Sequence, residues 1–159
     1  MRICFGIGTN LGDREKNLRT AVELLNERVG EQLACSSIYK SAPQGFVSEN
    51  EFANMVVVCK TDHSPEDILR ITQQIEREMG RTEKSVNGVY HDRVIDIDLL
   101  KALTPSNSPF KGENYTEGEE VVCCTDTLTL PHPRMHERDF VMIPLREVET
   151  ILKPLASNL

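Results

Sequence analysis

The sequence has little of several features that mark large classes of protein. It has no Trp, and aromatic residues make up 5% of its 159 residues, within an otherwise ordinary globular composition. Its formal net charge is −7, which argues against general binding to nucleic acid or to anionic membranes. No apolar run is long enough to span a membrane, and the first residues lack the apolar core of a signal peptide. We therefore expect one cytoplasmic domain, large enough to bury a sizeable core.

The five cysteines form no C-x-x-C pair, and their number is odd. Cys4, Cys35 and Cys59 fall inside apolar strand patterns, which is typical of small, reduced core residues. Reduced thiols fit the cytoplasm. Cys123 and Cys124 are adjacent, so in a strand their side chains point to opposite faces and are poorly placed for redox chemistry.

The most informative stretch runs from Arg93 to Leu100. Its apolar residues alternate with Asp96 and Asp98, which predicts a β-strand with one charged face. On such a strand the two carboxylates point the same way, with their Cα atoms about 6.6 Å apart. They repel each other, or one takes up a proton, unless a cation lies between them. Hard oxygen ligands on a rigid element suit Mg²⁺, which completes its shell with water and substrate phosphate. The alternative is an exposed strand edge with two ordinary surface acids.

The order of predicted elements indicates an α+β fold. Alternating apolar residues predict strands, and apolar spacings of three and four predict amphipathic helices with Asp13 and Ser64 as N-caps. The predicted elements are a strand at 2–8, a helix at 13–29, a strand at about 33–41, a strand at 52–60, a helix at 64–79 and a strand at 93–100. This β-α-β-β-α-β order is that of the ferredoxin-like fold, with one antiparallel sheet and both helices on one face. The other face is then free to bind a ligand, and we expect Asp96 and Asp98 there.

The last third of the chain divides into an insert and a basic segment. Residues 102–120 are rich in Pro, Ser, Asn, Gly and Glu, a composition that predicts a flexible insert. Residues 121–124 are expected to resume a strand, and an apolar helix is expected to end near Val148. Between them lie His132, Arg134, His136 and Arg138. A basic cluster in an acidic protein is what a phosphate ligand requires, although a single His is more often a surface or capping residue.

Six motifs, taken in order, resemble a known family. They are Gly8-Thr9-Asn10-Leu11-Gly12, Ser36-Ser37-Ile38-Tyr39, Phe52-Ala53-Asn54, Gly80-Arg81, Arg93 to Leu100, and Leu130 to Phe140. In this order and on this pattern of elements, the chain resembles the 6-hydroxymethyl-7,8-dihydropterin pyrophosphokinase family over residues 3–100 and about 127–148. The resemblance implies transfer of pyrophosphate from ATP to the hydroxymethyl group of the pterin, with release of AMP, in folate biosynthesis.

The resemblance also implies roles for individual residues. Asp96 and Asp98 are expected to hold two Mg²⁺ ions that bridge the ATP phosphates and the pterin hydroxyl, with Arg81 and Arg93 as further catalytic residues. The residues expected at the pterin are Thr9, Asn10, Ser41, Ala42, Pro43, Gln44, Asn54 and two aromatic walls, Phe52 and Phe140. The residues expected at ATP are Gln73, Glu76, Lys84, Tyr90, Arg93, His132 and Arg138. The loop 81–92 is expected to close over both substrates.

Three departures from the family pattern bear on these expectations. Glu83 stands where some members have a second loop Arg, so Lys84 or Arg81 is expected to act in its place. Pro133 stands where an aromatic residue often follows the His. The region 102–126 is longer than usual.

Two other functions remain open. A metal-dependent nucleotide hydrolase would also use paired Asp residues with Arg and His, but it needs no slot for a flat heterocycle, so Phe52, Asn54 and Phe140 argue against it. A non-catalytic ferredoxin-like module would bind nucleotide without forming AMP. We expect a monomeric enzyme with small-molecule substrates and no nucleic-acid or membrane partner.

Overall fold

The structure, a computed structural model, describes residues 1–43, 48–81, 92–104 and 119–153. The strands are β1 (Arg2–Thr9), β2 (Glu31–Cys35), β3 (Tyr39–Ser41), β4 (Phe52–Lys60), β5 (Asp96–Leu103), β6 (Cys123–Cys124) and β7 (Thr129–Leu130). The α-helices are α1 (Arg14–Arg28), α2 (Pro65–Glu78) and α3 (Asp139–Leu152), and a 3₁₀ turn spans Met135–Glu137. Among these residues, no helix is both long and apolar enough to cross a membrane.

One antiparallel sheet organises the fold. Its strands lie in the order β2-β4-β1-β5, and β3 also pairs with β4. The strand β4 therefore lies between β1 and β2, the two strands that α1 connects, which is the split βαβ arrangement. The short strands β6 and β7 pair with each other, so the strand expected at 121–124 forms as part of a small hairpin. The ferredoxin-like core predicted from the sequence is confirmed.

Alternation along the strands divides the core into two layers. On one face of the sheet, Ile3, Phe5 and Ile7 are buried against the apolar sides of α1 and α2. On the other face, Val56 and Leu100 pack against α3. The residues that α3 contributes are Val141, Leu145 and Val148. The face expected to be free for a ligand is thus shared, because the apolar side of α3 covers part of it.

The single strand expected at about 33–41 is two strands in the structure. The strand β2 pairs with the second half of β4, and β3 pairs with the first half. Between them, the backbone N–H of Val56 donates to the Ser36 hydroxyl at 2.9 Å, while the Ser36 N–H donates to the Val56 carbonyl, also at 2.9 Å. A side chain therefore replaces a backbone acceptor at this position, which interrupts the regular ladder.

The strand that carries the Asp pair begins later and ends later than predicted. It spans Asp96–Leu103 rather than 93–100, because the backbone of Arg93 is bonded to Asn10 instead of to the neighbouring strand. Its last residues were expected to begin the insert, but Ala102 is buried in the core and accepts a hydrogen bond from the backbone of Val121. Residues 105–118 of the predicted insert lie outside the described part of the chain.

Local signals for the helix starts are confirmed, and of the three cysteines expected in the core, Cys4 and Cys59 are buried while Cys35 is half-buried. The Asp13 side chain accepts from the Lys16 N–H at 3.1 Å, and the Ser64 hydroxyl accepts from the Asp67 N–H at 3.2 Å, so both residues are N-caps. Burial raises the pKa of the Cys4 thiol to about 11. All five cysteines are free thiols.

The turn between α1 and β2 generates a prediction about stability. A Cβ on Gly30 would lie 1.9 Å from the carbonyl oxygen of Lys60, so Gly30→Ala requires a backbone shift. We expect it to lower the free energy of unfolding, measured by urea denaturation, by about 2 kcal/mol or more. The control is Gly80→Ala, where the added Cβ meets no atom within 4 Å but the φ of +100° is unfavourable for Ala. The control should lose only about 1 kcal/mol, and equal losses would contradict the prediction.

Candidate active site

Two adjoining pockets share four charged side chains. The first, which we call the slot, has a volume of about 120 Å³, and the second, which we call the groove, has a volume of about 490 Å³. Residues that line the slot include Gly6, Gly8, Ser41, Phe52, Asn54 and Phe140. Residues that line the groove include Leu69, Gln73, Glu76, Arg81, Leu128 and His132. The side chains common to both are Arg93, Asp96, Asp98 and Arg138. A ligand in the slot and a ligand in the groove would therefore meet at the Asp pair.

Two aromatic rings give the slot its apolar walls. Phe52 begins β4, and Phe140 lies in the first turn of α3, so the fold brings together residues far apart in sequence. The guanidinium carbon of Arg93 lies 5.9 Å from the centroid of the Phe52 ring, and that of Arg138 lies 5.6 Å from the centroid of the Phe140 ring. Both are cation–π distances. A pocket with two aromatic rings suits a flat aromatic ligand.

Asn54 supplies a fixed amide inside the slot. It is buried on β4, and its Nδ2 donates to the carbonyl of Tyr39 at 3.1 Å and to the hydroxyl of Ser41 at 2.9 Å. A Cβ on Gly8 would lie 3.1 Å from the Asn54 Oδ1. Glycine at this position on β1 therefore leaves room beside the amide oxygen. A heterocycle with donors along its edge would find an oriented acceptor here.

Two arginines neutralise Asp96. Its Oδ1 accepts from Nη1 of Arg81, and its Oδ2 accepts from Nη1 of Arg93 at 3.1 Å. The same Nη1 of Arg81 donates to Oε2 of Glu76 at 2.7 Å. The side chains of Arg81 and Glu76 are only 8% and 4% exposed, so these charges interact with little screening by water. The protein itself thus supplies positive charge on one side of the carboxylate pair.

The surroundings of Asp98 raise the pKa of its carboxyl group. Burial, and then the charge of Asp96, raises the pKa of the Asp98 carboxyl to about 7, against the opposing effect of Arg138. A substantial fraction of Asp98 is therefore neutral at pH 7 when no cation is bound. The two side chains face the same way because they are two residues apart on β5. Asp96 pairs with Gly8, and Asp98 with Gly6, on the neighbouring strand β1. A bulkier residue at either glycine would narrow the space in front of the carboxylates.

Glu76 and Arg81 form part of the groove wall. Arg81 was expected in a loop that closes over the substrates, but the structure anchors it at the end of α2, between Glu76 and Asp96. Glu76 was expected to contact the nucleoside. It lines the groove, and its carboxylate is paired with Arg81. Gln73, one turn earlier on α2, lines the groove as expected.

His132 faces the groove as a neutral hydrogen-bond donor. Its backbone N–H donates to the Leu100 carbonyl at 2.7 Å, which ties it to β5. Its Nδ1 accepts from the Arg134 N–H at 3.2 Å, so the proton of a neutral ring lies on Nε2. Burial and the charge of Arg138 lower the pKa of His132, which favours this neutral form.

Some predicted site residues lie elsewhere. Thr9 and Asn10 are buried, and neither lines the slot or the groove. Their side chains bond within the protein because β1 ends here and turns into α1: the Thr9 hydroxyl accepts from Asn17 at 3.4 Å, and Asn10 bonds to residues 92 and 93. Pro43 is also absent from the described lining of both pockets, whereas Ser41 and Ala42 line the slot. The predicted residues Gln44, Lys84 and Tyr90, and positions 82–91 of the predicted lid, lie outside the described residues.

Sequence reasoning missed five residues that line the slot. They are Gly6, Ile7, Met55, Arg134 and Val141. The period-two pattern of β1 could have indicated Gly6, since it shares a face with Gly8. Arg134 belongs to the basic segment that was recognised, without a role being assigned to it. Met55 and Val141 resemble ordinary core residues in the sequence, and only their neighbours in space identify them.

Comparisons with known proteins agree with this geometry. The family model described as "7,8-dihydro-6-hydroxymethylpterin-pyrophosphokinase (HPPK)" matches residues 4–150. A relative from Porphyromonas gingivalis, named 2-amino-4-hydroxy-6-hydroxymethyldihydropteridine pyrophosphokinase, is 46% identical over 97% of this chain and 95% of its own length. A relative of the same name from Bacillus subtilis is 40% identical over 89% of this chain and 74% of its own length.

A solved structure shares the fold. It is described as "Crystal Structure Analysis of the HPPK-DHPS in complex with substrates", and it matches with a TM-score of 0.62 and 17% identity. The match covers 92% of this chain and 40% of that longer chain, and at this identity it speaks for the fold alone. The family match across most of the chain and the high identity of full-length relatives carry the assignment: this chain belongs to the 7,8-dihydro-6-hydroxymethylpterin-pyrophosphokinase family.

Proposed function

We propose that this protein transfers pyrophosphate from ATP to the hydroxymethyl group of 6-hydroxymethyl-7,8-dihydropterin, giving AMP and the pterin diphosphate for folate biosynthesis. The observation that carries the proposal is that an aromatic slot and a basic groove meet at Asp96 and Asp98. Two substrates bound in these pockets would present their reacting groups to each other at the Asp pair. Holding two reactants in this way is a large part of what catalysis of such a transfer requires.

The slot has the chemistry for a pterin. Phe52 and Phe140 supply aromatic surface for the flat ring, and Asn54 supplies a fixed amide for its polar edge. Ser41 and Ala42 line the same pocket beside Asn54, so the backbone there can also contact the edge of the ring. A nucleotide hydrolase would need only water on this side of the Asp pair, so the aromatic walls favour a transferase.

The groove has the chemistry for ATP. Arg93 and Arg138 line it next to the Asp pair, where they can bind phosphate oxygens, and the Nε2 of His132 is a third donor. Farther along, Leu69 and Leu128 offer apolar surface for the adenine base, and Gln73 offers a side-chain amide. The groove is thus basic where the phosphates of a nucleotide would bind and apolar where its base would bind.

We further propose that Asp96 and Asp98 hold Mg²⁺ in the complex with ATP, with two ions expected. The donor set fits: two carboxylates on one strand face leave most positions of an octahedral shell to water and phosphate. Burial and the charge of Asp96 raise the pKa of Asp98, and a cation bound at the pair would lower it again and favour the carboxylate. When bound, Mg²⁺ neutralises phosphate charge and polarises the phosphorus–oxygen bonds. The chain's own residues then orient the phosphates through Arg93, Arg138 and His132, and exclude water through Phe52 and Phe140.

We also propose that the protein is active as a monomer and that it acts in the cytoplasm. Both pockets are built from one chain, which supports a monomer as the active unit. The buried reduced thiols of Cys4 and Cys59 support action in the cytoplasm.

An assay of AMP release separates the proposed function from its rivals. The protein is incubated with ATP and Mg²⁺, with and without the hydroxymethyl pterin. A pyrophosphokinase forms AMP only when the pterin is present, at a one-to-one ratio with pterin diphosphate. A hydrolase releases AMP or ADP in both arms, and a binding module releases neither. Either of the last two results would overturn the proposal.

Removing either carboxylate is expected to abolish most of the activity. Asp96→Ala and Asp98→Ala should each lower kcat by at least about 100-fold, or roughly 2.7 kcal/mol of barrier, because each removes a ligand for the cation. The measurement is steady-state AMP formation at millimolar Mg²⁺. Asp62→Ala, which removes an exposed acid that lines neither pocket, should retain wild-type activity. Near-normal turnover by Asp96→Ala would contradict the role of the pair.

The pKa of Asp98 predicts how stability depends on pH without metal. The folded protein binds the Asp98 proton up to about pH 7, whereas an unfolded Asp loses it near pH 4. Stability from this group is therefore present below about pH 4 and is lost progressively as the pH rises from about 4 to about 7. Asp98→Asn, which stays neutral, should be more stable than wild type at pH 8 by about 1 kcal/mol or more, with little difference at pH 4. The measurement is urea denaturation in EDTA, with Asp62→Asn as the control variant.

Adding Mg²⁺ tests the same site without turnover. At pH 8 the cation should raise the melting temperature of the wild type more than that of Asp98→Asn, because only the wild type offers both carboxylates. Equal shifts would show that the cation binds elsewhere.

Removing one aromatic wall should separate binding of the two substrates. Phe140→Ala should weaken pterin binding by about 0.5–1.5 kcal/mol from lost stacking, and by more from lost burial. The affinity for an ATP analogue should change little, since Phe140 does not line the groove. Isothermal titration calorimetry with each ligand makes the comparison. Loss of ATP binding with intact pterin binding would reverse the assignment of the two pockets.

A further inference from the structure

A cluster of three polar side chains lies outside both pockets and holds together two segments that border them. Asn10, at the end of β1, donates from Nδ2 to Oδ1 of Asp92 at 2.8 Å and to the backbone carbonyl of Asn50 at 3.3 Å. Asn50 donates from its own Nδ2 to Oδ2 of Asp92 at 2.9 Å. We call this cluster the Asn10–Asp92–Asn50 node. It joins the residues just before β4 to the residues just before β5.

The node also fixes the backbone of Arg93. The Arg93 N–H donates to Oδ1 of Asn10 at 2.7 Å, and the Asn10 N–H donates to the Arg93 carbonyl at 3.1 Å. Asn10 is 3% exposed, so these bonds are protected from competition with water. Both backbone groups of Arg93 are therefore held by one buried residue, whose side chain is itself oriented by Asp92.

Arg93 is the residue for which such precision matters. Its guanidinium binds Asp96 at 3.1 Å, lies 5.9 Å from the centroid of the Phe52 ring, and lines both pockets. Phe52 begins β4, two residues after Asn50, and Arg93 follows Asp92 directly. A shift of either segment would move this guanidinium relative to the aromatic wall or to the carboxylate.

We propose that the Asn10–Asp92–Asn50 node is a positioning device for the transfer reaction, which sets Arg93 between the slot and the groove. This inference rests on the proposed function. Asp92 and Asn50 are positioning residues, because they act through Arg93 and line neither pocket. The node makes the segment before β4 and the segment before β5 move as one, so the aromatic wall and the carboxylate pair keep their spacing.

Exchanging the partners of one hydrogen bond tests the node. In Asp92→Asn, the new side chain has one oxygen and one NH₂ group in place of two acceptor oxygens. In either orientation, its NH₂ group faces the amide NH₂ of Asn10 or of Asn50, so one hydrogen bond of the node is lost. In Asn50→Asp, two carboxylates meet where a hydrogen bond of 2.9 Å existed. In the double variant, the Asn at position 92 donates to the Asp at position 50 and accepts from Asn10, so every hydrogen bond of the node is restored with the same net charge. Asp92 and Asn50 are exposed, so all three variants are expected to fold.

The three variants are compared with wild type by steady-state AMP formation and by thermal denaturation. Each single variant should lower kcat per folded molecule by about tenfold or more, and the double variant should recover to within about threefold of wild type. A matched control is Asp62→Asn, an exposed acid outside the node, which should leave kcat unchanged.

Other outcomes overturn the proposal. If the single variants lower only the melting temperature and leave kcat and both KM values unchanged, the node serves stability and does not position Arg93. If the double variant is as impaired as the singles, the hydrogen bonds are not what matters. If the wild type forms no AMP with both substrates, the proposed function fails instead, and the melting temperatures still report whether the node forms.

Discussion

The charge balance at Asp96 and Asp98 is the constraint on which the site depends. Two carboxylates two residues apart on one strand cannot both remain charged in a partly buried place without compensation. The protein compensates in two ways. Arg81 and Arg93 neutralise Asp96, while Asp98 keeps a proton up to about pH 7. Neither carboxylate is therefore left with an uncompensated charge.

That balance explains the placement of the surrounding elements. The end of α2 presents Glu76, which holds Arg81 against Asp96, so the helix terminus and the strand are tied by buried charge. On the opposite side, glycines on β1 face the Asp residues and leave space in front of them. The site therefore lies where the end of α2, the Asp residues of β5 and the two glycines of β1 meet.

The C-terminal helix converts an open sheet face into two pockets. By packing Val141 and Leu145 against the sheet, α3 brings Phe140 to the face that also bears Phe52. Arg138, just before the helix, then lies near Phe140 and lines both pockets. The apolar contacts of α3 thereby decide where an aromatic ring and a cation stand relative to the carboxylates. The packing of α3 in the core thus determines which side chains a ligand in the slot would meet.

Much of this was determined by the sequence alone, because the signals are local. Alternation of apolar residues located the strands, Asp13 and Ser64 located the helix starts, and the period of two placed Asp96 and Asp98 on one face.

What only the tertiary structure decided depends on contacts between residues distant in the chain. The pairing of Arg81 with Asp96, the burial that raises the pKa of Asp98, and the packing of α3 on the sheet face that bears the Asp pair are of this kind. So is the role of Asn10, which resembled a ligand contact in its motif but bonds to Asp92 and to the backbone of Arg93, more than eighty positions away. Sequence periodicity sets the face on which a side chain stands, whereas the partner that it meets there is set by which strands and helices the fold brings together.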